Sequence, residues 1–143
     1  MMGDQGDLIT MTLPADVKYI SVARLVTAGI AARAGLSIDA TEDIKVAISE
    51  AATNVTEHAY TEASEGNRLM KLAFIVRDGQ LTISVEDEGR GFDIKHLPDM
   101  SEKEFTEDTG LGLYLIKELM EDVTIQSAPG SGTKITMTKR AAG

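Results

Sequence analysis

Apolar and polar positions alternate in five short stretches of this chain, and apolar residues recur at a helical interval in three longer ones. Leu8-Ile9-Thr10-Met11-Thr12-Leu13 alternates as a short strand, ended by Pro14. Over residues 15–34, Val17, Ile20, Val22, Ala23, Leu25, Val26, Ile30 and Ala31 predict one long amphipathic helix, and Gly35 supplies its stop. Asp39 with Glu42 three residues on resembles a capping box opening a second helix that runs to Tyr60. Its apolar side is Ile44, Ala47, Ile48, Ala51, Ala52, Val55 and Ala59. Residues 61–67 are polar and contain Gly66, which predicts a loop. Strands over 69–77 and 80–87 follow, hairpinned by the turn Asp78-Gly79. Residues 94–109 show neither period, contain Pro98 and gather Asp99, Glu102, Glu104, Glu107 and Asp108. Such a length without structure of its own fits a surface insertion or a lid. Gly110-Leu111-Gly112-Leu113 then leads into a helix over 114–120. Strands over 123–127 and 133–139 close the chain around a 129–132 turn. This order predicts an α+β architecture.

Composition narrows the classes. A length of 143 residues fits one domain with one core, spanning 1–143, with 1–7 and 141–143 as flexible tails. Cysteine is absent, which removes disulfide and thiol chemistry. No apolar run is long enough for a membrane span, and the first residues lack a basic, apolar leader, so the expectation is a cytoplasmic protein with no membrane contact. With 23 acidic against 14 basic residues the formal charge is −9, which repels phosphate backbones and argues against direct nucleic-acid binding. The two histidines, His58 and His96, are too far apart in sequence to suggest a metal cluster.

Three spots carry candidate chemistry. On the second helix Glu50 and Asn54 are four residues apart, which puts a carboxylate and an amide on one face about 6 Å apart at Cβ. Either a solvated stripe or a partnered polar pair satisfies that spacing. At the end of the 80–87 strand, Asp87 precedes Gly89 and Gly91; an acidic group beside a tight turn can accept from a ligand amine such as that of adenine. By itself it reads equally as an ordinary turn. Gly110 and Gly112 at a helix start would expose free N–H groups to a phosphate, or simply begin a helix. The dinucleotide fingerprint is excluded, because the third glycine is missing and an irregular segment follows. No Gly-x-x-x-x-Gly-Lys-Ser/Thr run exists either.

Taken in order, Glu50-x-x-x-Asn54, Asp87-x-Gly89-x-Gly91 and Gly110-x-Gly112 resemble the superfamily of gyrase-type ATPases, heat-shock chaperones, histidine kinases and mismatch-repair proteins. The resemblance covers the chain from Ile9 to Lys139. It is narrower over 44–60 and 110–123, which look like the serine-protein kinases that act as anti-sigma factors. Residues 9–15 and 137–139 are most similar to the anti-sigma-B factor. That likeness implies a two-layer α/β sandwich, with a mixed, mostly antiparallel sheet and helices on one face. It implies ATP and Mg²⁺ as cofactors, with Asn54 holding the metal, Glu50 taking the proton of the attacking serine, and Asp87 accepting from adenine. Gly89 and Gly91 would allow close approach, Thr133 would support the base, and Thr109, Gly110, Leu111 and Gly112 would face the phosphates beneath a lid of residues 94–109. The implied partners are a stress-type sigma factor and a STAS-type anti-anti-sigma factor phosphorylated on serine, with the kinase a homodimer.

The chain departs from the sporulation kinase, which carries an arginine where Glu107-Asp108-Thr109 stand here, so a lid cation on the γ-phosphate is missing and Arg90 or Lys95 would be weak substitutes. Some anti-sigma-B factors carry serine where this chain has Gly91. Two other readings are a histidine-kinase catalytic fragment and a nucleotide-dependent binder without catalysis. The first lacks dimerisation helices with an acceptor histidine, since His58 lies inside the Asn54 helix. The second has no use for a carboxylate at Glu50.

Overall fold

The computed structural model describes residues 6–60, 68–94 and 108–141, the side chains of residues 108–110 excepted. Strand β1 (Asp7–Pro14) leads through a 3₁₀ turn (Val17–Tyr19) into α1 (Ile20–Arg33). Helix α2 (Ile38–Asn54) continues as a π turn (Val55–Ala59) and is followed by β2 (Leu69–Arg77) and β3 (Gln80–Asp87). Helix α3 (Asp108–Leu119), β4 (Glu121–Ser127) and β5 (Thr133–Arg140) complete the order. The strands form one sheet in the order β1-β2-β3-β5-β4, and every neighbouring pair is antiparallel. The expected mixed sheet is therefore corrected: hydrophobic alternation marks which face is buried, not which way a neighbour runs.

Register explains the two layers. Phe74, Ile83 and Met137 stand opposite one another across three strands, as do Leu72, Val85 and Ile135, and all six are buried. Against them lies the buried side of α2, Ile44, Ala47, Ile48, Ala51 and Ala52, with Ile116 of α3 and Ala23 and Ile30 of α1 in the same core. Helix α2 is the middle helix, in contact with both α1 and α3. Its alanines Ala47, Ala51 and Ala52, wholly buried, let neighbouring backbones approach closely.

Element ends differ from expectation in instructive ways. Asp16 caps the 3₁₀ turn by accepting from Lys18 N–H at 3.1 Å, so regular α-helix begins only at Ile20. Helix α1 ends as expected at Gly35 (φ +80°), whose N–H and that of Leu36 return to the carbonyls of Ala32 and Ala31. Ser37, not Asp39, caps α2, its hydroxyl accepting from Ala40 N–H at 3.1 Å, while Glu42 pairs with Lys45 instead of reaching back. Asp7 belongs to β1, opposite Val76, and Ala141 N–H donates to Gly79 O at 2.8 Å, so neither residue is part of a loose tail. Among the described residues no helix is long and apolar enough to cross a membrane.

Candidate active site

The second helix delivers Glu50 and Asn54, both half-buried, to a face that α3 crosses. Gly112 is buried at the crossing. A Cβ built on it would stand 3.0 Å from Glu50 Oε1, 3.5 Å from Asn54 Oδ1 and 3.8 Å from Asn54 Nδ2. The two polar side chains thus converge on one spot that only a residue without a side chain leaves open. Helix α3 begins at Asp108 instead of Tyr114, so both glycines lie inside it. Gly110 belongs to the first turn, where N–H groups are free, and Leu111 beside it is 45% exposed. Gly112 is the fifth helical residue, beyond those free donors; what it contributes is proximity. Thr109 is helical too, and residues 95–107 of the expected lid, with Lys95 and His96, lie outside the described residues.

Strand β3 delivers Asp87 to the same, helix-facing side of the sheet, since it stands opposite Met70 on one flank and Thr133 on the other. Asp87 is only 7% exposed. Its Oδ1 accepts from Gly89 N–H at 2.8 Å, which fixes the carboxylate within its own turn. Burial pushes this carboxyl above the ordinary aspartate range; the backbone N–H groups of Gly89 and Thr133 oppose that shift and the charge of Glu86 adds to it. Thr133 Oγ1 shares a 2.8 Å hydrogen bond with Ser127 Oγ, and Phe92 N–H donates to the same Ser127 oxygen at 2.9 Å. Gly91 (φ +62°) turns the loop beneath Ala128. An open cavity of about 320 Å³ reaches Asp87, Ser127 and Thr133 from the sheet end and extends to Glu86, Gln126 and Lys134.

The two halves of the site touch. Gly89 packs on Ala59 so closely that a Cβ would overlap the Ala59 carbonyl, and Ala59 follows Asn54 by five residues. Arg90 N–H donates to Ala59 O at 2.8 Å and Arg90 Nε to His58 O at 2.7 Å. Tyr60 OH accepts from Glu88 N–H at 3.0 Å and donates to Leu69 O at 2.7 Å. Residue spacing singles out neither Tyr60 nor Ser127; only the pairing of Ser127 with Thr133 across the closing hairpin points to the latter. Lys139 was missed as well. It extends from β5 to donate to Leu119 O, at the end of α3, at 2.6 Å and to Asp43 of α2 at 3.1 Å. His58 has its Nε2 buried without a hydrogen-bond partner among the described residues.

Three comparisons bear on this arrangement. Residues 13–139 match the model of the histidine kinase-like ATPase domain. The chain is 41% identical over 140 residues to the serine-protein kinase RsbW of Staphylococcus epidermidis, covering 93% of this chain and 86% of the relative. To the protein of the same name from Bacillus subtilis (strain 168) it is 37% identical over 146 residues, covering 96% and 88%. Among solved structures, that of the RsbU and RsbW domains of a Mycobacterium tuberculosis protein is similar at TM-score 0.68 and 25% identity, over 94% of this chain and 32% of the other. A histidine kinase domain from Erythrobacter litoralis, at TM-score 0.58 and 20% identity over 90% of this chain and 61% of that one, shares the fold. The chain belongs to the histidine kinase-like ATPase family and, within it, to the serine-protein kinases of the RsbW type.

Proposed function

We propose that this chain, working as one domain in the cytoplasm, binds ATP and phosphorylates a serine of a STAS-type anti-anti-sigma factor. In its other state it binds and inhibits a stress-type sigma factor. The observation that carries the chemistry is the convergence of Glu50 and Asn54 on Gly112. Phosphoryl transfer needs a base beside the acceptor, charge neutralisation and alignment, and no covalent protein intermediate. Glu50 takes the proton of the serine hydroxyl as its oxygen bonds to the γ-phosphorus. The bond from that phosphorus to the bridging oxygen breaks, and ADP leaves with its electron pair.

The donors present fit Mg²⁺, a hard cation that takes oxygen ligands and leaves several positions to phosphates and water. Asn54 Oδ1 is such a donor. Bound there, Mg²⁺ would neutralise phosphate charge. Asp87 accepts from the adenine amine, with Thr133 beside it and Gly89 and Gly91 letting the base approach. Thr109, Gly110 and Leu111 line the phosphate end, and Gly112 keeps the space beside Glu50 open. A homodimer is part of the proposal, supported by exposed Leu8 on the edge strand β1, and by exposed Val17 of the 3₁₀ turn and Leu25 of α1.

The test mixes purified protein, Mg²⁺·ATP and STAS-domain antagonists and looks for phosphoserine by mass spectrometry. Stoichiometric modification of one serine, lost when that serine is alanine, is expected. Bound ATP with no phosphoserine on any antagonist would refute the kinase reading.

A further inference from the structure

At Val55–Ala59 the helix carrying Glu50 and Asn54 widens into a π turn. Widening of this kind releases carbonyls from the regular ladder, and π turns gather at functional sites. Here the two last carbonyls are both taken by one residue. Ala59 O accepts the Arg90 N–H and His58 O accepts the Arg90 Nε–H, at 2.8 and 2.7 Å. Arg90 O in turn accepts from Gly130 N–H at 2.7 Å, which ties the same residue to the β4–β5 turn. Glu88 N–H on Tyr60 OH adds a further tie on the near side of Gly89.

We propose that Arg90 is a positioning residue, a latch that holds the Asp87–Gly91 loop at a fixed distance from the Glu50–Asn54 helix by its side-chain bond to the π turn. The inference rests on the ATP-site reading. A nucleotide whose base sits at Asp87 and whose phosphates sit at Asn54 spans both bodies, so a loop free to drift misplaces one end whenever the other is seated. The guanidinium contact is charge-assisted and so stronger than a neutral bond. With Nε on His58 O, the side chain is directed to the helix end, which distinguishes this role from that of a cation on the γ-phosphate. Arg90 is itself exposed, so its removal takes little from the core.

ADP and ATP separate the two roles. Calorimetric titration of wild type, Arg90→Ala and Arg90→Met is expected to show both nucleotides weakened by the same factor, about five- to tenfold, the usual worth of one hydrogen bond from an exposed side chain. The KM for ATP rises by that factor while kcat at saturating ATP is kept. Hydrogen exchange at the amides of Gly89 and Arg90 accelerates, and the unfolding midpoint of the nucleotide-free protein falls by no more than about 5 °C. Arg90→Met retains the aliphatic stem and serves where Arg90→Ala is less well folded. A loss confined to ATP assigns Arg90 to the γ-phosphate and overturns the latch, and so does unchanged affinity for both nucleotides. Wild type that binds neither nucleotide overturns the ATP-site reading and the latch together.

Discussion

Replacing Gly112 by alanine should make the free protein slightly more stable and the kinase distinctly worse. Gly112 lies inside α3, where glycine is about 1 kcal/mol less favourable than alanine. Its added methyl would stand 3.0 Å from Glu50 Oε1 and 3.5 Å from Asn54 Oδ1, both on side chains. An ordinary carbon–oxygen contact needs a few tenths of an ångström more, and a half-buried glutamate can give that by rotating. The helix gain therefore survives, raising the melting temperature by about 2–4 °C. Catalysis does not tolerate the same rotation, since a misplacement of about 1 Å costs roughly 10²-fold and a fraction of that about tenfold. Gly29, exposed on α1 with nothing within 4 Å of a built Cβ, supplies the control: Gly29→Ala should give the stability gain alone. Differential scanning calorimetry reads stability and phosphoserine formation at saturating ATP reads turnover. A Gly112→Ala protein as active as Gly29→Ala would refute the placement of Glu50 and Asn54 at the reacting end.

Asn54→Ala should weaken Mg²⁺·ATP binding by about tenfold or more, and a titration with wild-type affinity would remove its metal role. Asp87 gives a pH dependence. Its folded-state value is raised, so its contribution to stability is present below the ordinary value of 3.8 and is lost as pH rises through the folded value. On the proposed adenine contact the carboxylate must be ionised to accept, so ADP affinity should fall on acidification before an ordinary aspartate would protonate; affinity flat down to 3.8 would contradict this. Lys139→Met removes the donor from Leu119 O at the end of α3 and the partner of Asp43, and urea denaturation should show a loss of about 1–3 kcal/mol. An unchanged midpoint would make that bridge incidental.

Much of the fold could be read from residue order because the strands are half-buried: Met70, Leu72 and Phe74 alternate with residues on the other face, and period two is hard to mistake. Helix ends were less legible. Ser37 and Asp39 are both good caps two residues apart, and composition does not say which has its backbone extended. The start of α3 was hidden because two glycines argue locally against helix, while packing on α2 overrides that preference. Glu50, Asn54 and Asp87 could be found by spacing along single elements. The residues that join those elements could not. Arg90 reaches a backbone carbonyl 32 positions away, and Lys139 reaches Asp43 across 96, and neither contact depends on a residue type that spacing reveals.

Glu50 is proposed as the base of a phosphoryl transfer performed on the face it shares with Asn54. Single-turnover transfer by Glu50→Gln, with ATP affinity measured on the same preparation, tests it most directly. Unchanged affinity and a transfer rate lower by roughly 10²–10⁴-fold, the usual worth of a general base, are expected. Transfer at the wild-type rate would contradict it.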